Sequence, residues 1–186
     1  MKSLFSRSTA LAACIVCLLG LSAHGDPFGP KTREFGLTVG YGENHRIPEC
    51  MDNRYRFDDI TLRWGRFITK SDENAYEVGF NREIAGKDNE AAVAVVTRRH
   101  YFHLHGDTAL GYDLAFGGVR LENAVQGLAT RANFTEQVGL VLQRKTGRNS
   151  AVSIQYRFSH CSNGGIKKPN VGINASILGI GWSMFM

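Results

Sequence analysis

Residues 174–186 read Asn-Ala-Ser-Ile-Leu-Gly-Ile-Gly-Trp-Ser-Met-Phe-Met, and this stretch decides the fold. Large apolar side chains occupy every second position up to the last residue: Leu178, Ile180, Trp182, Met184 and Met186. Successive side chains of a β-strand point to opposite faces, so this pattern predicts a strand with one continuous apolar face. The closing strand of an outer-membrane barrel ends in the same way, although an aromatic residue is usual in the last place, and here Phe185 is penultimate.

The same alternation recurs throughout the chain. It marks eight segments, near residues 35–42, 60–65, 76–81, 90–103, 109–121, 130–143, 150–162 and 174–186. No segment after the N-terminal region has 18 consecutive apolar residues, which argues against helical membrane spans. The sequence therefore predicts an all-β protein, an eight-stranded antiparallel transmembrane β-barrel of the outer-membrane type. A soluble periplasmic barrel or sandwich with the same number of strands is the alternative, because hydropathy separates the two poorly.

The first 25 residues have the features of a secretory signal peptide. Lys2 and Arg7 are basic, residues 10–21 are apolar, and small residues at 23–25 suit a cleavage site. We therefore expect a signal peptide at 1–25 and a single barrel domain at 26–186. A lipoprotein-type site ending at Cys14 is a competing reading of the same region.

Charge and cysteine content limit the possible functions. Without Lys2 and Arg7, 20 basic residues face 17 acidic ones, and this small excess gives no argument for nucleic-acid binding. Removal of the signal peptide leaves Cys50 and Cys161, which could pair or stay reduced. Short connections near 68–74, 104–108 and 144–149 predict periplasmic turns, and those near 43–56, 83–89, 122–129 and 163–173 predict outer loops.

The seventh segment carries the candidate chemistry. Its even-numbered residues from Val152 to Phe158 are apolar and should face lipid, and counting on by two gives His160 and Ser162 on the same outer face. An imidazole beside a hydroxyl can take its proton, as acyl transfer requires. Next come Asn163, Gly164 and Gly165, which together offer a side-chain donor and approachable backbone N–H groups for an oxyanion. An interfacial histidine followed by a simple turn is the alternative.

Residues 160–174 read His-Cys-Ser-Asn-Gly-Gly-Ile-Lys-Lys-Pro-Asn-Val-Gly-Ile-Asn. They resemble the signature of the lipid A 3-O-deacylase (PagL) family, whose core is His-x-Ser-Asn followed by Pro-Asn-x-Gly. The resemblance implies an ester hydrolase in the outer membrane of the Gram-negative envelope. This enzyme would remove the 3-position acyl chain of lipid A in lipopolysaccharide without a metal or other cofactor, and a homodimer is possible.

The resemblance also implies roles for individual residues. Ser162 would be the nucleophile and His160 the general base and then acid, while Asn163 and the backbone of Gly164 and Gly165 would hold the oxyanion. The family has a Glu fourteen residues after the His, and this chain has Asn174 there. Asn174 has outer-face parity, and its amide can orient the imidazole but cannot offset the charge of an imidazolium.

The remaining candidates are acids, lysines and a cysteine. Glu122 and Glu136 are the alternative acids for the third position, although each is expected in a loop or in the barrel lumen. Lys167 and Lys168 could contact lipid A phosphates or be solvated at a loop tip. Cys161 has inward parity and faces away from His160 in this register, which disfavours it as a nucleophile.

Two functions from different classes follow. The first is an outer-membrane carboxylic ester hydrolase that works through a serine acyl-enzyme. The second is a non-catalytic small barrel with a structural or envelope-integrity role that carries the same motif.

Overall fold

The computed structural model describes residues 29–45, 55–84, 89–125 and 127–186. It contains eight strands: β1 (Arg33–Asn44), β2 (Arg56–Phe67), β3 (Asp72–Glu83), β4 (Glu90–His105), β5 (Thr108–Leu121), β6 (Ala132–Lys145), β7 (Ser150–Ser162) and β8 (Ile173–Phe185). Each strand pairs antiparallel with its neighbour in sequence, and β1 pairs with β8 to close the barrel. The predicted eight-stranded antiparallel barrel is confirmed. No helix in the described part of the chain is long and apolar enough to cross a membrane.

The outer wall of the barrel is apolar along its middle. Its most exposed large side chains include Tyr76 at 72%, Ile180 at 65% and Trp64 at 60%. These residues hold the outward positions that strand parity predicts, because successive side chains alternate between wall and lumen. An apolar band of this kind is typical of a wall that contacts lipid.

Buried ions fill much of the lumen. The network joins three arginines to four acids: Arg63, Arg99, Arg157, Glu34, Glu73, Glu77 and Asp113. Arg99 makes a two-pronged bond to Asp113, with N–O distances of 2.7 and 2.9 Å. Each member of this network therefore has a partner of opposite charge, as burial requires. Part of the lumen holds a cavity of about 80 Å³.

The two ends of the barrel differ in their connections. Residues 68–71, 106–107 and 146–149 form short connections at one end, and the longer connections lie at the other. In outer-membrane barrels the short turns face the periplasm and the long loops face outward. Residues 1–25 and Cys50 lie outside the described residues, so the signal peptide and any pairing of Cys50 stay predictions.

Two of the long loops are tied together. Ala129 N–H donates to Pro169 O at 3.0 Å, and Val171 N–H donates to Gly127 O at 2.8 Å. Leu128 is fully buried between them and packs in a cluster with Leu121, Cys161 and Ile173. The connection between β7 and β8, residues 163–172, is therefore braced by the connection between β5 and β6. We call residues 163–172 the site loop.

Candidate active site

His160 and Ser162 lie on the outer wall at the long-loop end of β7. The lumen cavity is lined by the odd-numbered residues of this strand: Gln155, Arg157, Ser159 and Cys161. The even-numbered residues therefore point outward, as strand parity predicts. Both side chains are half-buried, so they remain accessible from outside the wall.

Asn174 holds the imidazole of His160. The two residues are direct partners in the β7–β8 pairing, and His160 Nδ1 lies 2.8 Å from Asn174 Oδ1. An amide oxygen can only accept, so the ring donates from Nδ1 and leaves Nε2 unprotonated when it is neutral. Nε2 is then able to take a proton from a nearby hydroxyl.

Gly172 packs against the other edge of the ring. Its φ is +84°, and a Cβ at this position would lie 2.8 Å from His160 Cε1 and 3.6 Å from Nε2. Only glycine fits here, because a side chain would be strained by the backbone angle and would overlap the imidazole. Gly172 is the last residue of the Pro-Asn-x-Gly motif, and its contact with His160 could not be predicted from the motif alone.

The residues expected to form an oxyanion hole also brace the site loop. Asn163 is 1% exposed, its Nδ2 donates to Lys167 O at 2.7 Å, and its Oδ1 accepts from Gly165 N–H at 3.0 Å. Its own backbone N–H donates to Asn170 Oδ1 at 2.8 Å. Among the described residues these donors are engaged inside the loop, which leaves the N–H of Gly164 as the candidate best suited to an oxyanion.

Lys167 and Lys168 are exposed on the site loop. They are two and three residues beyond Gly165. Ile166 beside them is 75% exposed. Two lysines and an exposed apolar side chain are thus consecutive on the loop that follows Ser162.

Glu136 does not lie in the lumen or a loop, contrary to the expectation from sequence. It pairs directly with His160 across the β6–β7 ladder and is exposed on the outer wall. The reason is parity, because even-numbered residues of β6 face outward. Glu122 follows the end of β5 and is exposed in a loop, as expected.

A histidine–serine hydrogen bond is present elsewhere on the outer wall. His45 Nε2 lies 2.5 Å from Ser176 Oγ, and Tyr156 Oη lies 2.6 Å from the same oxygen. The His45 ring stacks near Phe158, with ring centroids 6.4 Å apart. The outward parity of Ser176 could have been read from β8, but the position of His45 depends on how the chain leaves β1.

Cys161 points inward, as its parity predicts. It is 8% exposed and packs in the lumen beneath the site loop. Its sulfur is therefore on the opposite side of the wall from His160.

Known proteins resemble this chain in sequence and in fold. Residues 53–183 match the lipid A 3-O-deacylase (PagL) family. The crystal structure of the outer membrane enzyme PagL aligns with a TM-score of 0.57 and 16% identity over 81% of this chain and 98% of that one. Neisserial surface protein A aligns with a TM-score of 0.67 and 9% identity over 82% of this chain and 96% of that one. Ail of Yersinia pestis aligns with a TM-score of 0.53 and 12% identity over 84% of this chain and 99% of that one. No curated protein sequence matches significantly.

The similar structures share little sequence identity with this chain, so they show its fold alone, which is that of an outer-membrane β-barrel. The sequence match spans most of the chain and includes the whole of the segment from His160 to Asn174. The protein is therefore an outer-membrane barrel, and it belongs to the lipid A 3-O-deacylase family.

Proposed function

We propose that this protein hydrolyses the ester-linked acyl chain at the 3-position of lipid A, with Ser162 as nucleophile and His160 as base. One observation carries the proposal. On the outer wall, His160 is held by Asn174 through a 2.8 Å hydrogen bond at Nδ1. That bond leaves Nε2 for the proton of a hydroxyl. Residues two apart on a strand share a face, so Ser162 presents its hydroxyl on the same face as His160, and we assign it as the proton donor.

The reaction has two halves. His160 Nε2 takes the proton of Ser162 Oγ as this oxygen attacks the ester carbonyl, and the backbone N–H of Gly164 donates to the oxyanion. The sugar oxygen leaves with the proton from His160, and the acyl chain stays on Ser162. Water then attacks this second ester with His160 again as base, which releases the fatty acid and restores the hydroxyl.

The outer wall suits a lipid substrate. An acyl chain can lie along apolar outward side chains of β7 and β8 such as Ile154, Leu178 and Ile180, each about half exposed or more. Lys167 and Lys168 are exposed on the site loop, and we assign them to the phosphates of the headgroup. The ester would then reach Ser162 while the lipid stays in the membrane.

Substitution of the two outer-wall serines tests this assignment. Purified wild type, Ser162→Ala and Ser176→Ala are incubated with lipid A in detergent micelles, and the products are analysed by mass spectrometry. We expect the wild type and Ser176→Ala to release the 3-linked chain and Ser162→Ala to release none. Ser176→Ala is a matched control, because it also removes an outward serine that neighbours a histidine.

Two results would contradict the proposal. Activity retained in Ser162→Ala but lost in Ser176→Ala would move the nucleophile to the His45–Ser176 contact. Unchanged lipid A with the wild type, in cells as well as in micelles, would favour the non-catalytic barrel.

A further inference from the structure

Glu136 is an acid on a largely apolar face of β6. The outward residues of β6 that flank it are large and apolar, and all are at least 45% exposed: Phe134, Val138, Leu140 and Leu142. A carboxylate on a lipid-facing surface is costly to keep, so its presence favours a functional role over a structural one.

The cross-strand neighbours of Glu136 indicate its partner. On β5 it is opposite Phe116, which is 57% exposed, and on β7 it is opposite His160. Directly opposed residues have Cβ atoms about 4.5–5.5 Å apart. His160 is therefore the polar side chain that Glu136 faces across its two strand pairs.

His160 thus lies between an amide and a carboxylate in one row across three strands. Asn174 on β8 fixes the ring at Nδ1 but carries no charge. Glu136 on β6 is the cross-strand partner of His160 on the side opposite to Asn174, and its side chain is acidic. An acid in the third position of a triad both orients the imidazole and compensates its charge. In this row the two tasks fall to different residues.

We propose that Glu136 is a positioning residue that stabilises the imidazolium of His160 and so supplies the charge that Asn174 lacks. The inference rests on the proposed function, because His160 must gain a proton during the reaction. Opposite charges within about 6 Å attract more strongly beside lipid than in water, since the dielectric constant there is lower.

Other ionisable groups belong to the segments that adjoin His160 and Asn174. They are His45, which follows β1, and Lys167 and Lys168 of the site loop. His45 donates its backbone N–H to Asn174 O at 2.7 Å, so its ring is near the row. The loop lysines are positive, and any that approach the ring would disfavour an imidazolium.

Three variants test the inference. Glu136→Gln keeps the shape of the side chain and removes its acid group, and Glu122→Gln removes an acid from the loop after β5 as a control. Glu136→Gln combined with Asn174→Glu returns a carboxylate on the other side of His160. Release of acyl chain from lipid A is measured from pH 5 to pH 9, and the barrel is checked by its heat-dependent mobility in gels.

For Glu136→Gln we expect kcat to fall about tenfold or more, with little change in KM. The acid side of the profile of kcat/KM should move to lower pH, because loss of the negative charge makes the imidazole harder to protonate. The double variant should recover most of the rate and return the acid side toward its original pH. Glu122→Gln should behave as the wild type.

The outcomes separate this inference from the proposed function. If the wild type is active and Ser162→Ala is not, while Glu136→Gln keeps both the rate and the pH profile, only the role of Glu136 is wrong. A rate loss in Glu136→Gln with no shift of the profile and no recovery in the double variant would also overturn it. A wild type that releases no acyl chain overturns both.

Discussion

His160 and Asn174 are direct partners across the β7–β8 ladder, and a 2.8 Å hydrogen bond joins the imidazole to the amide. Asn174 is 7% exposed, so the contact is shielded from competing water. A neutral residue thus does the orienting at the place where the family resemblance implies an acid.

Asn174→Ala should reduce kcat by about tenfold or more, because His160 Nδ1 loses the acceptor that fixes its ring and tautomer. Asn174→Glu should preserve or raise the rate, since a carboxylate accepts the same bond and adds a compensating charge. Steady-state kinetics with lipid A in micelles measure both. Complete loss of activity in Asn174→Glu would mean that this position is wrongly assigned.

Gly172→Ala should lose most of its activity, because the new Cβ would meet His160 Cε1 at 2.8 Å and push the ring aside. Gly165→Ala is the matched control. Its φ of +81° is close to the +84° of Gly172, but a Cβ there would meet nothing within 4 Å. Both variants carry similar backbone strain, so a difference in their rates reports the overlap with His160. Equal losses in the two variants would count against a role for Gly172 in placing the ring.

Glu77→Gln should destabilise the barrel by about 3–5 kcal/mol, because it removes one partner from buried ion pairs. Glu77 accepts from both Arg63 and Arg157, and Glu77 Oε1 lies 2.9 Å from Arg157 Nη2. Glu43→Gln is the control, since the Glu43–Arg56 pair is exposed and should contribute less than about 1 kcal/mol. Urea unfolding in micelles measures the free energy of unfolding, and similar values for the two variants would contradict the prediction.

Replacing both Lys167 and Lys168 with Gln should raise KM for lipid A several-fold and change kcat little, because the lysines would contact phosphates that are the same in ground and transition states. The effect should shrink at high salt, which screens exposed charges. Lys70→Gln removes a cation from a short turn at the opposite end and should leave KM unchanged. An unchanged KM in the double variant would make the pair a solvated loop tip.

Much of the site could be predicted from strand parity. Alternation along the seventh segment placed His160 and Ser162 outside and Cys161 inside, and parity in the last segment put Asn174 on their face. These relations depend on the two-residue repeat of a strand, which is a local property of the backbone. The same rule also applies to β6. Glu136 is two residues from the apolar Val138, so counting by two from Val138 would have predicted that Glu136 faces outward.

The contacts between side chains of different strands could be identified only from the tertiary structure. Pairing of Glu136 with His160 depends on the register of β6 against β7, and a shift of one residue would turn every side chain of the strand to the other face. The use of Asn163 as a brace depends on the path of the site loop, and the His45–Ser176 contact depends on closure of β1 against β8.

By itself, the sequence determined the class of fold, the number of strands and the face on which each candidate residue lies, because each of these follows from the spacing of apolar side chains along one strand. Only the tertiary structure decided which side chains meet, since register and barrel closure bring together residues such as His45 and Ser176 that are far apart in the chain. The outer-wall row of Glu136, His160 and Asn174 depends on both. Local alternation turns the three side chains outward, and the pairing of three strands places them side by side.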